Sequence, residues 1–530
     1  MKAWLDRITA PIAPVWTLRR QRARIAADML IRHYEAAQAG RRTAGWKRSG
    51  GDANAVVGGA LGTLRASARD LVRNNPYAES ALGTIADHTV GWGIVAKPRN
   101  GDKRSAEEWR RWAESKDCDA DGRHDFYGLQ KLVMRTVAES GEVIVRRRLR
   151  SLTDGFRVPM QLQVLDPDFI DTTKDTSTLP AGQSRIIQGV QFDGIGRRTG
   201  YWLYKEHPGA LAGGFPTSQF VPAESVLHIF RPNRPGQVRG LTWFAPVILK
   251  LKDLDEFEDA TLVKQKIAAC LAVLTTDTDG LAPALGTVDT TVPRADQTVD
   301  YLEPGLIKTI APGQDVKVVN PPDAGDYDVV TKNVQRAVAT GLGITYEDMT
   351  GDYTKMPFSA ARMSRLRHQD RVYDWRWRIV IPQFCDPVWG WFQESAAVMN
   401  LVGSVTEASW TPPPLASVDP EKEGIASQRQ IRNGLKTWSE VIRESGQDPD
   451  EVAAELAADF KRFDDLGLVL DCDPRQLTAN GQAQSTSASA GDGDQREDDG
   501  ADNAEDQERR IRNVRALVES VLAEVDRLDG

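Results

Sequence analysis

The hydrophobic and polar positions in the first half of the chain alternate between helical and extended patterns. Residues 60–98 have helical spacing and then turn to a strand at "VGWGIVAKP". Residues 104–140 predict two helices, and Trp109 and Trp112, three apart on the first, are predicted core residues. Between about 141 and 230, short runs that end near Gly, Pro or Asp predict strands. These runs are "EVIVRRRL", "MQLQVL", "RIIQGVQFD" and "TGYWLYKE". The pattern indicates a mixed α+β body.

The second half carries longer helical patterns. Apolar residues at 247, 248, 251, 254, 257, 262, 263 and 267 predict one face of a helix over 243–272. At 1.5 Å per residue, that helix would be roughly 40 Å long. A stretch interrupted by Thr, Asp, Gly and Pro follows this helix, with short predicted strands such as "GLIKTIAPG" and "DVKVV". A second amphipathic helix ends near Gly341, and an Arg-rich helix is predicted from about 359 to 395, kinked or broken at Pro382 and Pro387.

Residues 343–358, between those last two helices, do not continue either pattern. They contain two Tyr, two Met, two Gly, one Lys and one Pro, which predicts an irregular and mostly uncharged loop. Beyond "WTPPPLASVDPEKEG" a helical block runs to about 467. Residues 474–506 are low in complexity, and 491–506 hold eight acids and one Arg, which predicts disorder.

The last predicted element is a short C-terminal helix over 507–530. Its apolar residues step 3-4-3-4-3, the spacing of a coiled-coil seam of under three heptads. Such a seam is too short to be stable alone, so it predicts nearby copies of itself or a docking partner. The seam residues are Ile511, Val514, Val518, Val521, Val525 and Leu528.

Composition adds limits to this picture. The 530 residues are 41% hydrophobic and 27% charged, an ordinary globular composition, and the net charge of −8 argues against a surface built to grip nucleic acid throughout. Residues 1–48 carry eleven Lys/Arg and three Asp/Glu. We assign residues 1–54 to a basic N-terminal arm. This arm is either a solvated terminus or a segment that contacts an acidic protein surface or nucleic acid. No signal peptide and no membrane span is predicted.

The chain offers no convincing active site or metal site. It lacks a Walker-type phosphate loop, an HExxH pair and a GxSxG elbow, and its four Cys are scattered, so no cofactor is expected and a reducing cytoplasm is the default. "DCDADGRHDFYG" at 117–128 opens like an EF-hand but has Gly128 where a bidentate Glu is needed. We interpret it as a turn with solvated acids. Asp166 and Asp168 indicate a strand-end turn, and His228 a satisfied strand residue.

Six stretches between about residues 55 and 470 form an ordered series. They are "ARDLVRNNPYAESAL…HTVGWGI", "DADGRHDFYGLQ", "LQVLDPDFID", "VPAESVLHIFRPNRPGQVRGLTWFAPVILKLKDLDEFEDATLVKQKIAA", "GLGITYEDMTGDYTKMPFSAAR" and "VDPEKEGIASQRQIRNGLKTWSEVIRESGQDPDEV". Taken in this order, they resemble the lambda-type portal proteins of tailed bacteriophages.

The resemblance implies a dodecameric ring of non-enzymatic subunits at one capsid vertex. DNA would be driven through its channel by a separate terminase, and head-completion or adaptor proteins would attach later, with major capsid and scaffolding proteins as further partners. The protein would then belong to the virion, and to the host cytoplasm during assembly. The portal architecture of wing, stem, clip and crown maps onto the chain as the wing (55–240), a stem helix (241–272), the clip (273–327), a second stem helix (328–342), the tunnel loop (343–358), a long wing helix and following segment (359–417) and the crown (418–473).

In this architecture the tunnel loop projects into the channel. A lining that passes moving DNA should contact phosphates weakly, because each neutralised phosphate adds salt-dependent affinity. The loop suits that role with one Lys, three acids and an adaptable surface, and its candidate residues are Tyr346, Met349, Tyr353, Thr354, Lys355 and Met356. On the stem, Lys250, Lys252, Lys264 and Lys266 either line the channel or pair with acids of neighbouring subunits.

Three other functions remain as alternatives. Another head–tail adaptor or minor capsid protein is disfavoured by length and by the order of the matched stretches. A capsid-associated nuclease or protease would need a carboxylate cluster or an activated nucleophile. A DNA-binding scaffold would need salt-sensitive binding by the single subunit.

Overall fold

The computed structural model describes residues 50–99, 102–176, 184–210, 217–269, 273–276, 307–310, 327–354, 356–403, 405–415 and 419–468. The chain forms two compact units, Met1–Pro449 and Asp450–Gly530. Most of the predicted basic arm, most of 273–327 and everything after 468 lie outside the described residues, including the C-terminal seam. Among the described helices, none is both long and apolar enough to cross a membrane.

Five α-helices between residues 50 and 140 form most of the predicted helical part. Four of them begin at a capping side chain; for example, Asn75 accepts from the Ala78 N–H at 2.9 Å, and Asp125 from the Gly128 N–H at 2.7 Å. The last of them ends at Gly141, whose φ of +92° and closeness to the Leu241 carbonyl carbon leave no room for a Cβ. The helices are α1 (Ala53–Gly58), α2 (Leu61–Asn74), α3 (Pro76–Val90), α4 (Lys103–Ala113) and α5 (Phe126–Ser140).

Two antiparallel sheets carry the strands predicted between 141 and 230. In the first sheet β2 lies between β3 and β8, and the second has the order β4-β5-β6-β7. A further strand, β1, pairs antiparallel with a strand near residue 410. The ranges are β1 (Val95–Pro98), β2 (Glu142–Leu149), β3 (Met160–Leu165), β4 (Arg185–Ile187), β5 (Val190–Phe192), β6 (Arg198–Tyr204), β7 (Ser218–Pro222) and β8 (Val226–Phe230).

The run "RIIQGVQFD" is a hairpin, so its prediction as one strand was wrong. Gln188 and Gly189 form the turn between β4 and β5, with φ of 49° and 85°. A two-residue turn between antiparallel strands favours positive φ at both positions, because that twist matches the strands. Gln is uncommon there, so the sequence carried no familiar turn signal.

The second half contains the predicted helices with altered boundaries. Its elements are α6 (Ile248–Ala269), β9 (Val273–Thr276), β10 (Ile307–Ile310), α7 (Tyr327–Leu342), α8 (Tyr346–Thr350), α9 (Phe358–Trp375), a π-helical segment (Arg376–Cys385), α10 (Asp386–Val398), β11 (Ala408–Thr411), α11 (Pro420–Arg432), α12 (Trp438–Glu444) and α13 (Pro449–Leu466). β9 and β10 pair in parallel, and β11 is the partner of β1.

Two predictions about these helices need correction. Helix α6 begins at Ile248, five residues later than predicted, and its apolar residues do not form one buried face. Leu251 and Leu254 are buried, whereas Leu262 and Val263 are more than half exposed. A break at Pro382 or Pro387, one of the two predicted alternatives, is absent: the chain passes through Pro382 with π-helical bonding from α9 to α10, and Pro387 lies in the first turn of α10. A widened turn tolerates the missing Pro N–H.

The main core lies where these helices meet the three-stranded sheet. Trp109 is its centre, 1% exposed, with its ring centroid 5.0 Å from that of Phe126, 4.9 Å from Trp389 and 5.1 Å from Phe392. The prediction that Trp109 and Trp112 are core residues is confirmed. Aromatic contacts over such sequence separations hold α4, α5 and α10 in one body.

Candidate functional site

The segment 343–358 starts with a fixed change of chain direction. Helix α7 ends at Gly343, whose N–H donates to the Ala339 carbonyl at 2.9 Å with φ at +85°. A Cβ at this position would lie 2.4 Å from Nη1 of Arg371. Glycine is therefore favoured by the left-handed backbone, whereas the contact with the flexible end of Arg371 could be relieved by a shift of that side chain.

The middle of the segment is a short helix rather than an irregular loop. Thr345 caps α8 by accepting from the Asp348 N–H at 3.0 Å, and Gly351, with φ of +71°, ends it. The prediction of an irregular segment missed this turn of helix because five residues are too few to show a period.

Met349 anchors α8 in the core. Its side chain is 2% exposed, its carbonyl accepts from Ser80 Oγ at 2.8 Å, and the Asp348 carbonyl accepts from Thr84 Oγ1 at 3.3 Å. Both donors lie on α3. The Met349 side chain therefore does not contribute to the surface of the chain, unlike the other candidate residues of this segment that the structure describes.

The exposed part of the segment follows Gly351 and is ordered by Asp352. This carboxylate accepts from Thr354 Oγ1 at 2.5 Å and Tyr346 OH at 3.0 Å, and Lys332 Nζ lies 3.5 Å away. These hydrogen bonds, first those from Thr354, lower the pKa of Asp352 to about 2. Tyr353 is 60% exposed, Met356 is half-buried, and Lys355 lies outside the described residues.

A cavity of about 320 Å³ lies beside this segment. His88 from the end of α3 and His368 from α9 meet at its wall, with Nδ1 of His88 2.8 Å from Nε2 of His368. Burial, and then the neighbouring His88, lower the pKa of His368 to about 4. Asp348 of α8 also lines the cavity. No local sequence pattern indicates this grouping, since the two histidines are 280 residues apart.

The four lysines predicted to lie on a stem helix are on α6. Lys250, Lys252 and Lys266 are exposed and Lys264 is half-buried. Lys252 forms an ion pair of 3.6 Å with Glu256 of its own helix. Nearby acids of α6 are held by α3 instead, where Asn75 donates to Asp255 at 2.5 Å and Tyr77 donates to Glu258 at 3.3 Å.

Among the described residues, the most buried charges surround Glu142, which the sequence reasoning missed. The carboxylate accepts from Arg65 Nη2 at 2.8 Å, Arg239 Nη2 at 2.6 Å, the Gly240 N–H at 2.6 Å and His228 at 2.8 Å. These donors hold the pKa of Glu142 well below its usual value, although burial acts in the opposite direction. A Glu at the head of an apolar strand gives no sequence signal for such a cluster.

The residues weighed as catalytic candidates lie in or next to this cluster. His228 is on β8, as predicted, and burial lowers its pKa to about 4, so neutral imidazole donates to Glu142. Asp166 caps a 3-10 turn, accepting from the Asp168 N–H at 2.9 Å, which confirms the strand-end turn. Arg69 contacts both carboxylates at 2.6 Å, and Arg65 contacts Asp168. Asp166 and Asp168 therefore stabilise the fold.

The EF-hand-like stretch is a turn, as predicted, but one of its acids is not solvated. Asp119 is 3% exposed, and its carboxylate accepts from the N–H groups of Asp121, Arg123 and His124, each at 3.0 Å. The prediction of solvated acids was wrong for this residue, because its oxygens satisfy the backbone of the turn.

Comparison with known proteins agrees with the resemblance in the sequence. Residues 39–376 match the model of the family described as phage portal protein, lambda family. A protein of Halomonas phage phiHAP-1 called probable portal protein is 26% identical over 83% of this chain and 88% of its own length. Portal protein B of Escherichia phage lambda is 24% identical over 74% of this chain and 82% of its own.

Among solved structures, the chain is similar to one described as the neck of a native GTA particle computed with C12 symmetry. The identity is 14% and the TM-score 0.40, over 74% of this chain and 99% of the other. The family match covers more than half of the sequence. The chain therefore belongs to the lambda family of phage portal proteins, which are structural components of the virion and not enzymes.

Proposed function

We propose that this chain is one subunit of a ring, a dodecamer in the assembled capsid, that forms the channel for double-stranded DNA at one vertex. In this proposal the ring passes the genome during packaging and ejection. It docks the terminase large subunit first and head-completion or adaptor proteins afterwards, and it contacts major capsid and scaffolding proteins. Family membership supports the portal role.

The exposed apolar side chains of the single chain carry the ring proposal. Leu262 and Val263 on α6 are 53% and 52% exposed, Val329 on α7 is 57% exposed, and Phe358 and Met363 on α9 are 57% and 68% exposed. Long helices with apolar residues turned to water need a covering surface. Neighbouring copies of the same chain in a ring would provide it.

The pairing of α6 with α7 supports the stem and clip proposal. The rings of Phe257 and Tyr327 stack with centroids 5.7 Å apart, which places the two helices side by side. Gly341, at the end of α7, lies against Val247, just before α6, so the two helices run antiparallel and the end of α6 lies toward the same end of the pair as the start of α7. We assign the pair to the stem and the intervening 273–327 to the clip. The body 55–240 together with 359–417 would be the wing, and 418–473 the crown.

The tunnel-loop proposal for 343–358 depends on its exposed part. Tyr353 and Thr354 present an uncharged surface, and the Asp352 carboxylate stays ionised at any pH of packaging. Such a surface lets phosphates pass without strong, salt-dependent binding. Met349 and α8 would provide the fixed base of this loop.

Electron microscopy of the purified protein, with light scattering for mass, tests the ring first. We expect rings with an axial hole and a mass near twelve times 58.5 kDa. A neighbouring subunit number would still support a ring, since closure without a capsid can vary. Monomers or dimers at high concentration would contradict the proposal and favour an adaptor or minor capsid protein.

The tunnel loop is tested by a bulky label on Thr354→Cys, in a background where Cys270 and Cys472 are Ser. Cys118 and Cys385 are buried and free in the structure. We expect labelled rings to assemble with unchanged mass and to fail in DNA packaging. Leu152→Cys, at a residue 64% exposed outside the segment, is the matched control. Equal packaging by both labelled proteins would place 343–358 outside the channel.

A further inference from the structure

Three elements distant in sequence bring metal-ligating atoms together beside the 343–358 segment. His88 of α3, Asp348 of α8 and His368 of α9 each place one such atom within 4.8 Å of the others. His368 is 5% exposed, while the other two are half-buried and face the cavity. Two imidazoles and one carboxylate are a frequent ligand set for zinc in proteins.

The two imidazoles share one proton between facing nitrogens, and a metal ion could take the place of that proton. Nδ1 of His88 and Nε2 of His368 are 2.8 Å apart, so one nitrogen donates to the lone pair of the other. With Zn–N distances of about 2.0–2.1 Å, two nitrogens of a tetrahedral zinc site lie roughly 3.3 Å apart. Small side-chain rotations are enough to open the contact by that difference.

The charges around the cavity are of both signs. Glu347 and Asp348 line it together with Arg365 and Arg376, and its third acid, Asp87, forms an ion pair with Lys131. The Arg376 guanidinium is directed at backbone carbonyls, since it donates to Thr89 O at 2.7 Å, Pro413 O at 2.9 Å and His88 O at 2.9 Å. Its donors are thus engaged by the backbone, while the Asp348 carboxylate lies within reach of the imidazoles.

A second grouping of similar composition shows what a non-metal arrangement looks like. Asp166, Asp168 and His207 also place their ligand atoms close together. There, however, Arg69 contacts both carboxylates at 2.6 Å and Arg65 contacts Asp168. Two guanidinium groups already neutralise those acids, so a cation would have to displace them. Within the described part of the chain, no arginine forms an ion pair with Asp348, whose carboxylate accepts from the Tyr353 hydroxyl at 3.5 Å.

We propose that His88, Asp348 and His368 bind one divalent transition-metal ion, zinc by preference, with water from the cavity as a further ligand. The bound metal would hold α8 against α3 and α9, and would therefore fix the position of α8, which is the base of the 343–358 segment. The inference concerns the single chain and does not depend on ring formation or on the channel role of that segment.

Zinc content of the full-length protein, with any affinity tag removed, tests the site. After EDTA treatment, reloading with Zn²⁺ and dialysis, we expect about one zinc per chain by mass spectrometry of the metal, in line with a three-residue protein site. Co²⁺ in place of zinc should give the visible absorption of a low-symmetry site with nitrogen ligands. No stoichiometric zinc and no such absorption in the wild-type protein would overturn the proposal.

Variants then assign the ligands. His88→Gln and His368→Gln should each weaken zinc binding at least about tenfold in competition with a chromophoric chelator, because each removes one ligand. Asp348→Asn should weaken it less. His124→Gln, at an exposed histidine, is the matched control, and circular dichroism checks the fold of each variant. Wild-type affinity in both histidine variants would overturn the assignment, whereas a misfolded variant is replaced by His88→Asn or His368→Asn.

Discussion

Hydrogen bonds hold a carboxylate in both the Glu142 cluster and the 343–358 segment. The donors come from elements far apart in the chain in the first case and mainly from the same segment in the second. Glu142 is buried, and its donors come from α2, β8 and the loop at 239–240. Asp352 is held largely by Tyr346 and Thr354 of its own segment. The first arrangement ties distant elements into the fold, whereas the second shapes one turn. The surface of the segment can therefore change without unfolding the chain.

The largest effect is expected for Glu142→Gln. The change leaves the buried guanidinium group of Arg239 without a counter-charge and removes one of the two carboxylates that contact Arg65, which costs roughly 3–5 kcal/mol of unfolding free energy. Urea unfolding at fixed protein concentration measures it. Glu407→Gln removes an exposed ion pair with Arg99 and should cost at most about 1 kcal/mol. Equal losses of unfolding free energy in the two variants would mean that the buried Glu142 cluster stabilises the fold no more than an exposed ion pair does.

Within the 343–358 segment, Met349→Ala separates the anchored base from the exposed part. Removing a side chain that is 2% exposed leaves a cavity against α3 and should cost about 2–4 kcal/mol. Met356→Ala, at a half-buried residue, should cost clearly less. Thermal unfolding of both variants makes the comparison. If Met356→Ala proves the more destabilising, the base of the segment has been assigned to the wrong residues.

The pH dependence of the Glu142 cluster comes next. The pKa of His228 is about 4 in the folded chain, below its usual value near 6.5, so the unfolded chain binds more protons between these values. Stability is therefore retained above about pH 6.5 and falls toward pH 4, by at most about 3 kcal/mol from this group. His228→Gln keeps a donor for Glu142 but does not titrate. Unfolding curves for both proteins across this range should diverge, and parallel curves would contradict the assignment.

The smallest stability effect is expected for Tyr353→Ala. The side chain is 60% exposed, so unfolding should change by less than about 0.5 kcal/mol. If the segment is the tunnel loop, DNA packaging changes while ring mass and stability do not. A loss of stability as large as that of Met349→Ala would show that Tyr353 belongs to the base of the segment.

The sequence alone determined the features that depend on local pattern. Alternating and helical periods gave most strands and long helices, and Trp109 and Trp112 were recognised as core from their spacing. The ordered series of stretches gave the family, because many short matches in one order are specific even when each is weak. The position of the exposed segment between α7 and α9 was also visible as a break in two helical patterns.

Tertiary structure alone decided which chemical groups meet. The burial of Met349, the neighbours of Glu142 and the contact of His88 with His368 all depend on packing between elements far apart in the chain. Periodicity reports which face of one element is apolar, but not which partner covers it. A single charged residue in an apolar run looks the same whether water or two arginines surround it, and only the folded chain distinguishes these environments.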